Sequence, residues 1–185
     1  MFEVLALTIL LAREDSQDRM SSDNEDNFRS YGHDLSLIKD DRIKGLHSYW
    51  LSIHNGDTLP SRRQIDPLQF PKGVIGYVSM FDVIDDGKGG YRIPFRIAGT
   101  MAYGHNVRLK NVQGRELHEV LTPDEAGPTV RDWSIAVRTR RPVAATGTAF
   151  WFQVGPRPWE AIALPLSSDG EVVDNLLTAR VPLGE

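Results

Sequence analysis

The histidines are the first candidates for a reactive centre in this chain, because imidazole exchanges protons near neutral pH and is the commonest metal ligand. His47 and His54 stand seven residues apart, close to one face of a helix. Metal pairs on a helix prefer a spacing of four, and no third ligand is near in sequence. This argues for solvent-facing or partner-facing histidines and against a metal site. His105 and His118 flank a stretch of irregular or short helical sequence. Acid–base catalysis would need a histidine or tyrosine beside a carboxylate, and Tyr103 or His105 with Asp132 is the pairing to test.

Several chemistries are excluded outright. The chain has no cysteine, so disulfides, thiol nucleophiles, iron–sulfur clusters and thiolate zinc sites are out. Asp85-Asp-Gly-Lys-Gly-Gly90 is glycine-rich and carries a lysine. A phosphate loop needs Gly-Lys-Ser/Thr opening a helix, whereas this run precedes a strand and reads as a hairpin turn. No Gly-x-Ser-x-Gly elbow or His-Glu-x-x-His is present. Arg138, Arg140 and Arg141 cluster at the end of a helical stretch, where positive charge complements the helix dipole.

Binding is better supported than catalysis. Phe95, Tyr103, Trp133, Trp151 and Trp159 form an aromatic set that suits either a filled core or an apolar cavity with a few polar handles. The pocket candidates are Phe95, Ile97, Tyr103, His105, Trp133, Val137 and Trp151.

These side chains need elements to position them. Ile43, Leu46, Trp50 and Ile53 recur at helical spacing, which predicts an amphipathic helix over 35–54 with Asn55-Gly56 as its stop. Its apolar stripe is the candidate interface, either with the protein's own sheet or with a second copy. Beyond Pro67 the period changes to two. Residues 76–84 and 91–97 read as strands, with Tyr91, Ile93, Phe95 and Ile97 on one face and Pro94 marking a sheet edge. Thr122-Pro-Asp-Glu125 starts a helix that Gly127-Pro128 is expected to break or restart before Arg141. Strands over 142–153, 157–167 and 171–181 follow. The order predicts an α+β domain, a five-stranded antiparallel sheet with helices inserted after the second strand.

Composition agrees with one domain: 185 residues, 41% hydrophobic and 25% charged. The net charge of −4 belongs to the leader, since residues 1–34 carry eight acids and three bases and the rest is near neutral. A near-neutral body does not fit nucleic-acid binding. Residues 1–12 are apolar but about half the length of a membrane span, with Glu3 where a secretory signal carries basic charge. Residues 13–30 lack the apolar content to fold. The organisation expected is therefore an acidic, disordered leader over 1–34, the helix over 35–56 and the body over 57–185. Met20 opens a polar run that reads as an alternative start.

The body resembles the fifth numbered PAS family, found mainly in alphaproteobacteria. The resemblance rests on Tyr49-Trp50, Leu59-Pro60-x-Arg62 with Ile65-Asp66-Pro67, Phe95-Arg-Ile-Ala-Gly-Thr100, Gly114-Arg115-x-Leu117, Arg141-Pro-Val143, Trp159-Glu160, Leu164-Pro-Leu-Ser167 and Asp169-Gly170. Together these cover about residues 40–181. Gln64 stands where the family commonly has an acid, and Leu109–Gly114 departs from its usual Gly-x-Asp-aliphatic-Thr-Gly.

The resemblance implies a non-catalytic sensory or regulatory module, cytoplasmic, binding a small ligand or a protein partner in trans, or pairing as a homodimer. It implies no required cofactor. Haem, ligated by a histidine of the helical region, and non-covalent flavin are the groups to test, while the missing cysteine removes thiol-dependent flavin photochemistry. No output domain is expected within these 185 residues. The rival readings are a structural interaction domain with a filled core and a small enzyme acting on an apolar substrate.

Overall fold

A computed structural model of the chain describes residues 29–102, 111–151 and 155–184. The strands are β1 (Arg29–Gly32), β2 (Val78–Asp82), β3 (Ile84–Asp85), β4 (Tyr91–Arg92), β5 (Phe95–Ile97), β6 (Val143–Trp151), β7 (Gly155–Leu166) and β8 (Asn175–Pro182). Six of them form one antiparallel sheet in the order β1-β6-β7-β8-β2-β5, and β3 pairs with β4 in a separate ribbon. The helices are α1 (Asp41–Ser52), α2 (Leu117–Val120) and α3 (Pro123–Thr139). The arrangement is α+β, with the helical insertion between β5 and β6 as the sequence predicts.

Alternation along the strands gives the sheet two apolar faces. On one, Val78 and Met80 of β2 line up with Ala179 and Leu177 of β8 and Ile162 and Leu164 of β7. Helix α1 covers this outer face, and Ile43, Leu46 and Trp50 are buried there. On the other, Phe81, Leu176 and Ala163 point toward α3.

The strand expected over 91–97 is divided between β4 of the ribbon and β5 of the sheet, which has six strands where the sequence predicts five. Four further details depart from the sequence reading. Residues 29–32, assigned to an unstructured leader, form β1, because their backbone completes the edge of β6 in register Tyr31 to Ala145. The first helix starts at Asp41, since the Asp40 carboxylate accepts the Arg42 N–H at 2.8 Å and sets the N-cap there. Residues 35–37 make only one 3₁₀ turn. Helix α3 runs through Pro128 unbroken. The hydrogen bond a proline forgoes would have gone to the Asp124 carbonyl in the first turn, where Asp124 is exposed to solvent.

The fourth departure matters most for the site. Residues 95 and 97 do not share a face. Met80 pairs with Ile97 but Phe81 pairs with Phe95, a bulge that absorbs Arg96. Phe95 turns inward to 1% exposure, whereas Ile97 is carried to the outer face at 59%. Arg96 is held by Asp82, Nε to Oδ1 at 2.6 Å.

Candidate functional site

The sequence-predicted pocket divides between the two faces. On the inner face Phe81 packs at a tilt against both Phe95 and Trp133, each pair with ring centroids 4.5 Å apart. Among the described residues of this face, Phe95, Trp133 and Val137 are buried in the core cluster with Phe81. Tyr103 and His105 lie outside the described residues, and of Trp151 only the backbone, on β6, is described. Asp132 is fully buried on α3, 3.5 Å from Arg131. Farther along this face Arg180 lies over the Trp159 ring at 4.6 Å and reaches Glu125 at 3.4 Å.

Among the described residues, Ile97 is the pocket candidate that lines an open cavity. This cavity, about 340 Å³ and half-open to solvent, lies on the outer face beyond α1. Val78 and Met80 of β2, Leu177 of β8 and Ile97 of β5 make its floor. Ile65, Pro67, Phe70 and Ile75, from the connection between α1 and β2, make its wall. Gly99 allows the chain to close its far side. A Cβ at that position would collide with the carbonyl oxygens of Gly76 and Val78.

Three contacts fasten α1 to this surface. Tyr49 binds the cavity wall directly. Its ring meets Phe70 edge-on at 5.2 Å, its hydroxyl accepts the Asp66 N–H at 2.7 Å, and it donates to the Gln64 carbonyl at 3.3 Å. Trp50 donates from Nε1 to the Pro165 carbonyl of β7 at 3.0 Å. Glu160, a 2% exposed glutamate on β7, accepts the N–H groups of Lys39 and Asp40, both at 2.8 Å. It thereby caps the helix entrance, where unpaired amides favour an anionic acceptor. Gly45 completes the fit, because a Cβ there would press on Pro71 at 2.9 Å.

Residues 38–178 match a PAS domain family, PAS_5. The chain belongs to this family of PAS domains. No curated protein matches it. Among solved structures, it is similar to a fungal LOV domain photoreceptor at 17% identity, covering 82% of this chain and 96% of that one, with a TM-score of 0.40. It is also similar to an RNA-binding light-oxygen-voltage receptor at 15% identity and a TM-score of 0.41. That match covers 89% of this chain and 39% of the other.

The remaining candidates of this PAS domain have structural settings. His47 and His54 flank Trp50, with ring centroids at 6.1 and 4.8 Å, and do not face each other across a metal site. Burial pushes the His47 imidazole below its ordinary value. Among the described residues no cluster of three or more histidines, cysteines or acids could hold a metal. None of the helices described is long and apolar enough to cross a membrane. Asp85–Gly90 closes the β3–β4 ribbon, its amides at Gly87, Lys88 and Gly90 bonded to Asp85 and Asp86 carboxylates. Arg140 ends α3 in the left-handed region at φ 56° and donates to the Gly170 carbonyl at 2.6 Å.

Sequence reasoning missed the cavity wall and the helix fastening. Ile65, Tyr49 and Glu160 entered only as marks of family resemblance. A signal was present: Ile65, Leu68, Phe70, Val74 and Ile75 are too many apolar residues for a solvent loop.

Proposed function

We propose that this PAS domain is a non-catalytic sensory or regulatory module of the cytoplasm. It takes a small ligand on the outer face of its sheet and passes occupancy through α1 to a protein partner or second copy. One observation carries the reading: Tyr49 of α1 is bonded to the segment that walls the cavity. A ligand that moves Ile65–Phe70 therefore changes the free-energy balance of α1 docking, the differential interaction that any population shift requires.

The packed inner face favours a second reading, a structural interaction domain without a ligand. Phe81, Phe95 and Trp133 pack together on the described part of that side. Native mass spectrometry of the full purified chain, with hydrogen exchange across α1, separates the two. The sensory reading expects a non-covalent adduct and faster exchange in α1 after its removal. A chain without adduct, whose α1 exchange is indifferent to added apolar compounds, would establish the structural reading instead.

A further inference from the structure

We infer that the outer-face cavity binds a neutral, apolar small molecule of about ten to twelve carbon atoms, with at most one hydroxyl at its mouth. The inference rests on the sensory reading for its consequence in α1, and on the cavity alone for its chemistry.

Size sets the first limit. A cavity of about 150 Å³ takes one benzene ring, and this one measures about 340 Å³. It accommodates two such rings or a medium-length alkyl chain. An apolar cavity of this kind offers water too few partners to be stably filled by it.

Charge sets the second limit. No lining side chain is ionisable. The nearby amides already have acceptors: Gly99 donates to Ser79 Oγ at 3.2 Å, Met101 to the Gly76 carbonyl at 2.8 Å and Phe70 to the Pro67 carbonyl at 3.3 Å. A carboxylate or ammonium seated against this lining would lose its hydration with nothing in return, so a charged head group must stay outside the half-open mouth and hold its chain shallower. The Thr100 hydroxyl, on an exposed residue of the rim, is the one side-chain polar group of the lining. The Met80 thioether chain, unbranched and polarisable, lets the floor adapt to differing shapes.

The surroundings argue against a second copy as the occupant. Strand β5 is an edge, but its outer side is bonded: Phe95 N–H donates to Arg115 and Gly114 N–H to Phe95, at 2.8 and 2.6 Å. Strand addition has no free ladder at Phe95. The exposed apolar residues around the mouth are Ile75 at 56%, Ile97 at 59% and Met101 at 49%, with Leu68 at 93% on the wall segment. A stable interface needs about 800 Å² from each partner, and four side chains do not make one by themselves.

The test titrates 1-decanol and sodium decanoate into the full chain by calorimetry, with hydrogen exchange of α1 read on the same samples. Two variants keep it independent of folding. Ile97→Glu places a charge at an already exposed rim position, and Ala98→Phe fills the cavity from its edge. Decanol should bind the unaltered chain, and both variants and decanoate should each weaken binding about tenfold or more. Failure of decanol to bind, equal affinity for decanoate, or unchanged affinity in both variants would overturn the inference. Decanol binding that leaves α1 exchange unaltered would uphold the cavity assignment and discard the sensory reading instead.

Discussion

The two faces of this sheet are built from the same alternation yet finish differently. The inner face is closed by rings, Phe81 lying between Phe95 and Trp133. The outer face is closed by one helix that buries Ile43, Leu46 and Trp50 and is fastened by bonds at Tyr49, Trp50 and Glu160, and beyond that helix it stays open. A close-packed layer transmits any change in volume as strain, whereas a single helix bordered by an open cavity can release without the rest. The difference assigns rigidity to the inner face and responsiveness to the outer one.

The comparison breaks most sharply at Phe81. Phe81→Ala removes the ring shared by both aromatic pairs and should cost about 3–5 kcal/mol, read as a shift in the denaturation midpoint. Unfolding should remain one cooperative transition. A loss below about 1 kcal/mol would mean that the inner face is loosely packed and able to admit a ligand.

Glu160→Ala should cost less, about 2–3 kcal/mol, by leaving the Lys39 and Asp40 amides at the helix entrance without their acceptor. The effect should be local. Hydrogen exchange should accelerate through α1 while β6 and β7 keep their protection. Uniform acceleration across the sheet would mean that the outer cover is not separable from the core. Tyr49→Phe should cost about 1 kcal/mol and should weaken the response of α1 to decanol without weakening decanol binding itself. Equal loss of both would make Tyr49 part of the cavity and not its link to the helix.

The sequence made the elements legible where periodicity is strong. The stripe Ile43, Leu46, Trp50 and Ile53, the final three strands and the turns at Gly56 and Gly170 are local signals, and the family motifs ordered them. The cavity was not legible, because two non-local facts create it. A bulge at Arg96 reverses Ile97 relative to Phe95, and a one-residue shift in pairing inverts every side chain beyond it. The wall comes from a segment whose prolines and polar residues read as a loop, although Ile65 and Phe70 pack against the core. Glu160 looked like an ordinary strand residue, since only the tertiary fold brings it to the entrance of α1 some 120 residues earlier in the chain.

The smallest effect concerns the turn that serves both faces. Ser167 N–H donates to the Pro60 carbonyl in the connection that follows α1, at 3.0 Å, and the Gly170 carbonyl accepts Arg140 from the end of α3. Asp169 organises this turn. The Val172 and Glu171 amides donate to its carboxylate at 2.9 and 2.8 Å and the Ser167 hydroxyl at 2.8 Å, holding its pKa at about 2, below the usual 3.8. The folded value lies below the unfolded one, so the contribution of Asp169 is complete above the ordinary value and is lost as pH falls toward about 2. The Glu171 and Val172 amide resonances should titrate with a midpoint near 2 in the folded chain. The Trp50 indole and the Phe81 ring signals should not follow that midpoint, because neither cover depends on this turn alone; the first-turn amides of α1 report their own capping carboxylate, Asp40. A common midpoint for all three would mean that the turn couples the faces and that the outer one does not respond independently.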